Sequence, residues 1–271
     1  MNILRKILKW IWYIIACPFV GLSLGISIIR VRGKARKYRR NPNSCFLDQR
    51  YHFLYAQVKK LLFLKRITVL SNGVTKIPSS PCLFVYNHKS NIDAVILLKY
   101  LLEYRNTVNP NFKFVFIGKT ELQKKRNFIK DTLDLADTIY IDRADLRQQF
   151  KMFEKQNERI KDKYSIVIAP EGTRNKEDDF GEFKPGSIKV AFHNMIPIQP
   201  IVLWGTSGSL FEKKIKKPSK TICATFLPYK KPFDFHSHNI DWFSNEIRSE
   251  MINEYKRIGT KIAEKKEPYN V

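Results

Sequence analysis

An α/β fold, with a mixed, largely parallel sheet flanked by helices, is predicted by three observations. Short apolar segments rich in β-branched and aromatic residues recur along the chain, at 67–70, 82–86, 112–117, 138–141, 165–169, 198–203 and 221–227. Longer stretches of helical character lie between several of them, the alternation that builds a mostly parallel sheet. Residues 50–230 are numerous enough to bury one sizeable core. A hydrophobic helical segment precedes this domain, and the division expected is 1–45 for that segment and 46–271 for the α/β domain. The strand at 82–86, Cys82-Leu-Phe-Val-Tyr86, is short and apolar, and the helix after it, 92–102, is apolar almost throughout, so both are expected to be buried. At the other end, Trp242, Phe243, Ile247, Met251, Tyr255, Ile258 and Ile262 form a helical stripe that should pack on the domain. Internal repeats and low-complexity linkers are absent from the sequence.

The first forty residues carry ten cations and no carboxylate. Seven of the ten lie at 30–40, directly after the uncharged run 10–29. Twenty uncharged residues are long enough to cross a hydrocarbon core of about 30 Å as a helix. Pro18, Gly21 and Gly25 favour a second arrangement, two short helices dipping into one leaflet with both basic ends on the same side. A cleaved signal peptide fits less well, because the apolar run is long and no small-x-small site follows it. Under either arrangement the basic cluster, by the positive-inside rule and by attraction to anionic lipid, sets the domain on the cytoplasmic face of the cell membrane. The whole chain has 49 Lys and Arg against 25 Asp and Glu, a net charge of +24, which also suits nucleic acid. No zinc-finger spacing, recognition-helix signature or RNP-like aromatic motif accompanies that charge, so a nucleic-acid partner is not expected.

Two loops carry chemistry. Asn87-His88-Lys89-Ser90-Asn91-Ile92-Asp93 sets a histidine and a carboxylate five residues apart between a strand and a helix. A histidine oriented by an acid is a general base near neutral pH, and with no serine beside it the nucleophile would be the substrate itself. Ser90-x-x-Asp93 is also a capping-box pattern, with Ser90 as N-cap, and the two readings are compatible. The second loop, Pro170-Glu171-Gly172-Thr173-Arg174, follows the strand at 165–169. Arg174 there is free to fork onto an anion, Gly172 and Thr173 shape the loop, and Glu171 is better suited to holding the loop than to touching an anionic substrate.

Together these blocks resemble the glycerolipid acyltransferase family, the PlsC-like 1-acyl-sn-glycerol-3-phosphate O-acyltransferases and related enzymes, whose hallmarks are an NHxSxxD box and an EGTR box. Both are intact here, as Asn87 to Asp93 and Glu171 to Arg174. The resemblance extends to Lys119-Thr-Glu121-Leu122, Ile139-Tyr-Ile-Asp142-Arg143, Phe183-Lys184-Pro-Gly186 and Ile196-Pro197-Ile198-Gln-Pro200, and covers residues 60–230. It implies transfer of a fatty acyl group from acyl-CoA or acyl carrier protein, a co-substrate and not a cofactor, to the sn-2 hydroxyl of lysophosphatidic acid at a phospholipid bilayer, giving phosphatidic acid. His88 and Asp93 are the implied catalytic pair. Arg174, with Glu171, Gly172 and Thr173 of its loop and with Lys119 and Arg143 from the family's second block, is the implied phosphate-binding set. Backbone amides at the start of the helix from Ile92 are the expected oxyanion donors. The chain departs from the family where proline and glycines often stand, carrying Lys124-Lys-Arg126 and Asp134-Leu-Ala-Asp137 instead. Two further readings stay open: a different acceptor, such as glycerol 3-phosphate or another lysophospholipid, and a basic membrane-binding protein without catalysis.

Cys17, Cys45, Cys82 and Cys223 are scattered, with neither CxxC pairing nor zinc spacing, and are expected to be reduced and structural. No metal is expected. His236-Ser-His238 lacks further ligands nearby, and His193, after Ala-Phe on a helix, reads as a packing or surface residue.

Overall fold

The computed structural model describes residues 2–73, 77–79, 81–124, 128–141, 145–175, 179–207, 221–235 and 239–264, with side chains of the first helix described at Phe19 and from Gly21 onward. In chain order the elements are helices α1 (Asn2–Arg40) and α2 (Leu47–Leu64), strands β1 (Thr68–Asn72) and β2 (Leu83–Tyr86), helix α3 (Ile92–Thr107), strand β3 (Lys113–Lys119), helices α4 (Thr120–Lys124) and α5 (Phe128–Leu135), strand β4 (Ile139–Ile141), helix α6 (Leu146–Lys161), strand β5 (Tyr164–Ile168), helix α7 (Lys189–Asn194), strands β6 (Ile198–Trp204) and β7 (Thr221–Phe226), and helices α8 (Pro232–Phe235) and α9 (Ile240–Ala263). The seven strands form one sheet in the order β1-β7-β6-β2-β5-β3-β4. Every neighbouring pair is parallel except β6 with β7.

Period-two alternation divides the core between the two faces of the sheet. Phe84 and Tyr86 of β2 and Phe114 and Phe116 of β3 pack on one face with α2, α3 and α5. Leu83, Val85, Val115 and Ile117 point the other way, into a cluster completed by α7 and α9. Both faces being covered, these strands are apolar at almost every position, which is why they read as continuous apolar runs. Tyr51 of α2 ties the helical layer to the sheet: its ring stacks on Phe114 at 4.9 Å and its hydroxyl donates to the Phe114 carbonyl at 2.9 Å. The stripe on α9 buries Phe243, Ile247, Met251, Tyr255 and Ile258, but Trp242, at its first turn, is 47 % exposed.

Helix α1 runs without interruption from Asn2 to Arg40, so the expected break into two short helices at Pro18, Gly21 and Gly25 is not found. A helix tolerates an internal proline by losing one backbone hydrogen bond and bending, which is less disruptive than ending. Among the described residues, no helix is long and apolar enough to cross a membrane. From Phe19 onward the described side chains of α1 form two faces: Val31 and Ala35 are fully buried in the core, while Phe19, Leu22, Ile26 and Ile29 are exposed.

The end of α1 is clamped by charges. Arg39 donates to Asp131 at 2.8 Å and to Asp134 at 2.6 Å, both near or on the solvent-poor side of α5. Asp137, in the turn after α5, accepts from Arg50 of α2 at 2.8 Å and from the Tyr38 hydroxyl. Arg50 also donates to the Leu135 carbonyl at 2.8 Å and lies over the Tyr38 ring. Burial, reinforced by the Asp137 carboxylate, pushes the Tyr38 hydroxyl up to about 12. Asp137 has φ +56°, a left-handed conformation that glycine, asparagine and aspartate adopt most readily. The departure from the family at 134–137 thus has a physical reason: the segment exchanges glycine's freedom for carboxylates that hold α1.

Candidate active site

Strands β2, β5 and β3 are adjacent and parallel, so the loops leaving their carboxyl ends converge on one edge of the sheet. Residues 87–93 leave β2, residues 169–175 leave β5, and Lys119 ends β3. Asn87 fixes where β2 stops: its side-chain amide donates to the Leu203 carbonyl at 2.9 Å and its carbonyl accepts from the Leu203 amide at 2.7 Å. This side chain continues the ladder to β6 for one more residue while the backbone turns away, presenting His88.

His88 Nδ1 lies 2.8 Å from Asp93 Oδ2. The same carboxylate oxygen accepts from the amides of Lys89 and Ser90, each at 2.8 Å. Asp93 is fully buried, so the loop's amides, and not solvent, hold its charge in place. The N-cap of α3 is Asn91 and not Ser90. Asp93 turns back on residues 88–90 in a way the capping box only partly anticipates. The first amides of α3 are also engaged, Asp93 N donating to the Ser90 carbonyl at 3.2 Å and Ile92 N to Ser90 Oγ at 3.5 Å.

Glu171 joins the two loops. Its Oε1 accepts from the His88 amide at 2.8 Å and its Oε2 from the Gly181 amide at 2.7 Å. Asn175 N donates to the His88 carbonyl at 2.9 Å, adding a second stitch. Burial raises the Glu171 carboxyl above its ordinary range, opposed by the two amides and by the Lys89 ammonium. Gly172 has φ +73°, which turns the chain tightly enough for Thr173 and Arg174 to reach the surface. A Cβ on Gly181 would meet Glu171 Oε2 at 3.0 Å, so a larger residue there would press the carboxylate back by a few tenths of an ångström.

Two supports were not anticipated from the sequence. Lys89 is buried, its ammonium donating to the Asp179 carbonyl between the rings of Phe180 and Tyr255. Arg248 of α9 donates to the Gly181 carbonyl at 2.9 Å and to the Phe180 carbonyl. Arg248, a charge set beside the apolar stripe of α9, is the one signal in the sequence that could have flagged this anchorage.

His88, Lys119, Gly172, Thr173 and Arg174 line one cavity of about 300 Å³. Asp93 and Glu171 stand behind it and organise its wall. Arg143 lies outside the described residues, as do His236 and His238. The cavity's other wall is apolar, with Tyr86, Ala94, Phe116, Leu122, Ile129 and Leu133. The site thus combines a histidine backed by a buried carboxylate, two cations and an apolar surface. Such a constellation can take a proton from a hydroxyl, hold an anion and accommodate an alkyl chain. Cys45, Cys82 and Cys223 are buried free thiols away from this cavity. His193 packs its ring against Phe153.

The acyltransferase family model matches residues 68–204. A protein of Mycoplasma genitalium, described as a probable 1-acyl-sn-glycerol-3-phosphate acyltransferase, is 30 % identical over 249 residues, covering 89 % of this chain and 91 % of that one. A protein of Mycoplasma pneumoniae with the same description is 32 % identical over 209 residues, 77 % of this chain and 75 % of its own. Among solved structures, the 1-acyl-sn-glycerophosphate acyltransferase PlsC of Thermotoga maritima superposes with a TM-score of 0.58 at 22 % identity, over 94 % of this chain and 98 % of that chain, a shared fold.

Proposed function

The chain belongs to the acyltransferase family, and from that membership we propose that it transfers a fatty acyl group from a thioester to the sn-2 hydroxyl of 1-acyl-sn-glycerol 3-phosphate, giving phosphatidic acid for phospholipid biosynthesis. The observation that carries this reading is the opening of the His88–Asp93 pair onto a cavity lined by Lys119 and Arg174 on one side and apolar side chains on the other. An acceptor with a hydroxyl, a phosphate and an acyl chain matches those three surfaces. The names of the mycoplasmal relatives support the same acceptor.

In this mechanism Nδ1 of His88 faces Asp93, leaving Nε2 to take the proton of the acceptor hydroxyl as its oxygen attacks the thioester carbonyl carbon. The imidazolium formed is stabilised by the Asp93 carboxylate, as in triads where the acid orients the histidine without taking its proton. Collapse of the tetrahedral intermediate breaks the carbon–sulfur bond, and the proton returns from His88 to the departing thiolate. The products are an ester and a thiol. Arg174 binds the acceptor phosphate through its planar fork, with Lys119 as a second cation and Thr173 as a hydroxyl partner. Glu171 and Gly172 hold the loop that carries them. Arg143 is a further candidate for the same anion.

The acyl donor is acyl-CoA or acyl carrier protein. The enzyme works at the cytoplasmic face of the cell membrane, held by α1, whose uncharged run meets acyl chains and whose cations at 30–40 meet anionic lipid at about 1 kcal/mol each.

The test is acyl transfer by the purified chain in vesicles, with labelled acyl-CoA or acyl carrier protein and, in parallel, lysophosphatidic acid, glycerol 3-phosphate and lysophosphatidylcholine. Phosphatidic acid formed from lysophosphatidic acid and lost in His88→Ala is the expected result. Preference for glycerol 3-phosphate or lysophosphatidylcholine would reassign the acceptor. No His88-dependent transfer to any of the three would leave the basic membrane-binding reading.

A further inference from the structure

Helix α3 starts against the active-site cavity with a residue that the proton transfer does not use, Asn91. Asn91 is the N-cap of α3, a position where asparagine ordinarily turns its side chain onto the first helix amides. Here no capping hydrogen bond runs from that side chain, and no other partner holds it among the described residues. Asn91 is half-buried and lines the cavity together with His88, three residues before it, and Ala94, three residues after it. On a helix, positions three apart lie about 60° from one another, whereas positions two apart point in nearly opposite directions. Asn91 and Ala94 accordingly share the cavity face, while Asp93, between them, turns back onto His88 and is fully buried. One short turn of chain thus sets the acid behind the base and an unused amide on the cavity side.

We infer that Asn91 Nδ2 donates a hydrogen bond to the thioester carbonyl oxygen as that oxygen becomes an oxyanion. The inference rests on the acyl transfer proposed above. As the acceptor oxygen bonds to the carbonyl carbon and His88 takes the hydroxyl proton, the C=O π pair moves onto the carbonyl oxygen. When that pair returns, the carbon–sulfur bond breaks and the thiolate receives the proton from His88. Throughout, the carbonyl oxygen needs a donor that gives up no proton, which a neutral side-chain amide is.

The position of Asn91 favours this role over binding the phosphate. Lys119 ends β3 and Arg174 follows β5, whereas Asn91 belongs to the loop after β2 that carries His88. The phosphate has its two cations on those neighbouring segments, and the amide stands with the base, where the reacting carbon has to come. The other neutral side-chain donors lining the cavity are placed differently. The Thr138 hydroxyl donates to the Leu133 carbonyl at 2.7 Å, Tyr86 is nearly buried with its ring edge-on to His88, and Thr173 sits on the arginine's loop. Ala94 and the apolar wall beyond it lower the local dielectric, in which a hydrogen bond to a developing charge is worth more than in water.

The experiment uses the full chain in vesicles, with labelled acyl-CoA or acyl carrier protein and 1-acyl-sn-glycerol 3-phosphate, and compares the parent with His88→Ala, Asn91→Ala and Asn91→Asp. Aspartate is an equally good N-cap and keeps an acceptor oxygen while losing the amide donors, so it serves where Asn91→Ala does not fold. The expected result is a fall in kcat of about 10²-fold in both Asn91 variants, with KM for donor and acceptor within about twofold of the parent's. The acid limb of the pH–rate profile and the melting temperature should not move. A second arm replaces the carbonyl oxygen of the donor thioester by sulfur, a weak acceptor, and the oxygen-to-sulfur rate ratio should be about tenfold smaller in Asn91→Ala than in the parent. A raised KM at unchanged kcat, a shifted acid limb, a rate ratio equal to the parent's or an Asn91→Asp enzyme as fast as the parent overturns the inference and leaves acyl transfer standing. Absence of His88-dependent transfer by the parent overturns both.

Discussion

Two carboxylate clusters, one at each side of helix α5, show opposite ways of holding a buried acid. In the loops after β2 and β5, Asp93 and Glu171 accept from backbone amides, those of Lys89 and Ser90 and those of His88 and Gly181. At the end of α1, Asp131, Asp134 and Asp137 accept from the side chains of Arg39, Lys130, Arg50 and Tyr38. Amides carry no net charge and cannot move independently of the chain, so the first arrangement spends no cation and leaves His88, Lys119 and Arg174 facing a cavity. The second consumes its cations and fastens one helix to another. The difference separates a site from a clamp without reference to any ligand: what matters is whether the basic side chains line a cavity or are paired with carboxylates.

The largest expected effect tests the site half of that contrast. His88→Ala should lower acyl transfer by about 10²- to 10⁴-fold, the usual yield of a general base, with the melting temperature nearly unchanged. A rate within a few-fold of the parent would break the assignment of this loop as catalytic. Asp137→Ala probes the clamp. It leaves the Arg50 guanidinium buried without its carboxylate and should cost about 3–5 kcal/mol of unfolding free energy. The kcat of the folded fraction should remain close to the parent's, and a large fall in kcat would mean that clamp and site are not separate. Arg174→Lys keeps the charge and loses the fork, so KM for the phosphate-bearing acceptor should rise about tenfold with kcat little altered.

The smallest effect sharpens the comparison through pH. Burial holds the Glu171 carboxyl above its ordinary value near 4.5, so between that value and the raised one the folded protein binds the proton more tightly than the unfolded chain. Stability on this account is full below the ordinary value and is lost as pH rises through the raised one. Glu171→Gln removes the titration. Denaturant unfolding from pH 4.5 to 8 should show the parent losing stability relative to Glu171→Gln over that window, and parallel curves would refute the assignment.

Much of this architecture could be read in the sequence, and the reason is burial. All seven strands fall where apolar β-branched and aromatic residues cluster, and the central ones, covered on both faces, have little room for polar residues, whereas the edge strand β1 is mostly exposed. The two loops were legible because glycine, histidine and charged residues stand just after those strands. What escaped depends on neighbours distant in the chain. Asn87 meets Leu203, 116 residues away, and Arg248 meets Gly181, 67 away, and no local pattern marks either. No local signal in the sequence marks Lys89, which stands between two loop residues, yet it is one of the largest fully buried side chains. Asp134 and Asp137 were visible only as a departure from the family, since their meaning lies in Arg39 and Arg50. The unbroken course of α1 departs from the expected break because a helix can carry proline and glycine in its interior, losing a hydrogen bond or bending where it does not end.

The spacing within the site also has a consequence for how the protein is made. His88 and Asp93 are 5 residues apart, and the contact of Glu171 with the His88 amide spans 83. Ordering a short loop costs less entropy than closing a long one, and a chain emerging from the ribosome offers its short loops first. Both members of the pair are thus present in a nascent chain that still lacks β5 and Arg174, while the contacts that seat their loop, from Glu171 and Leu203, come later. Such a chain holds His88, Asp93 and Lys119 without Arg174, and the site is whole only when the second loop closes on the first.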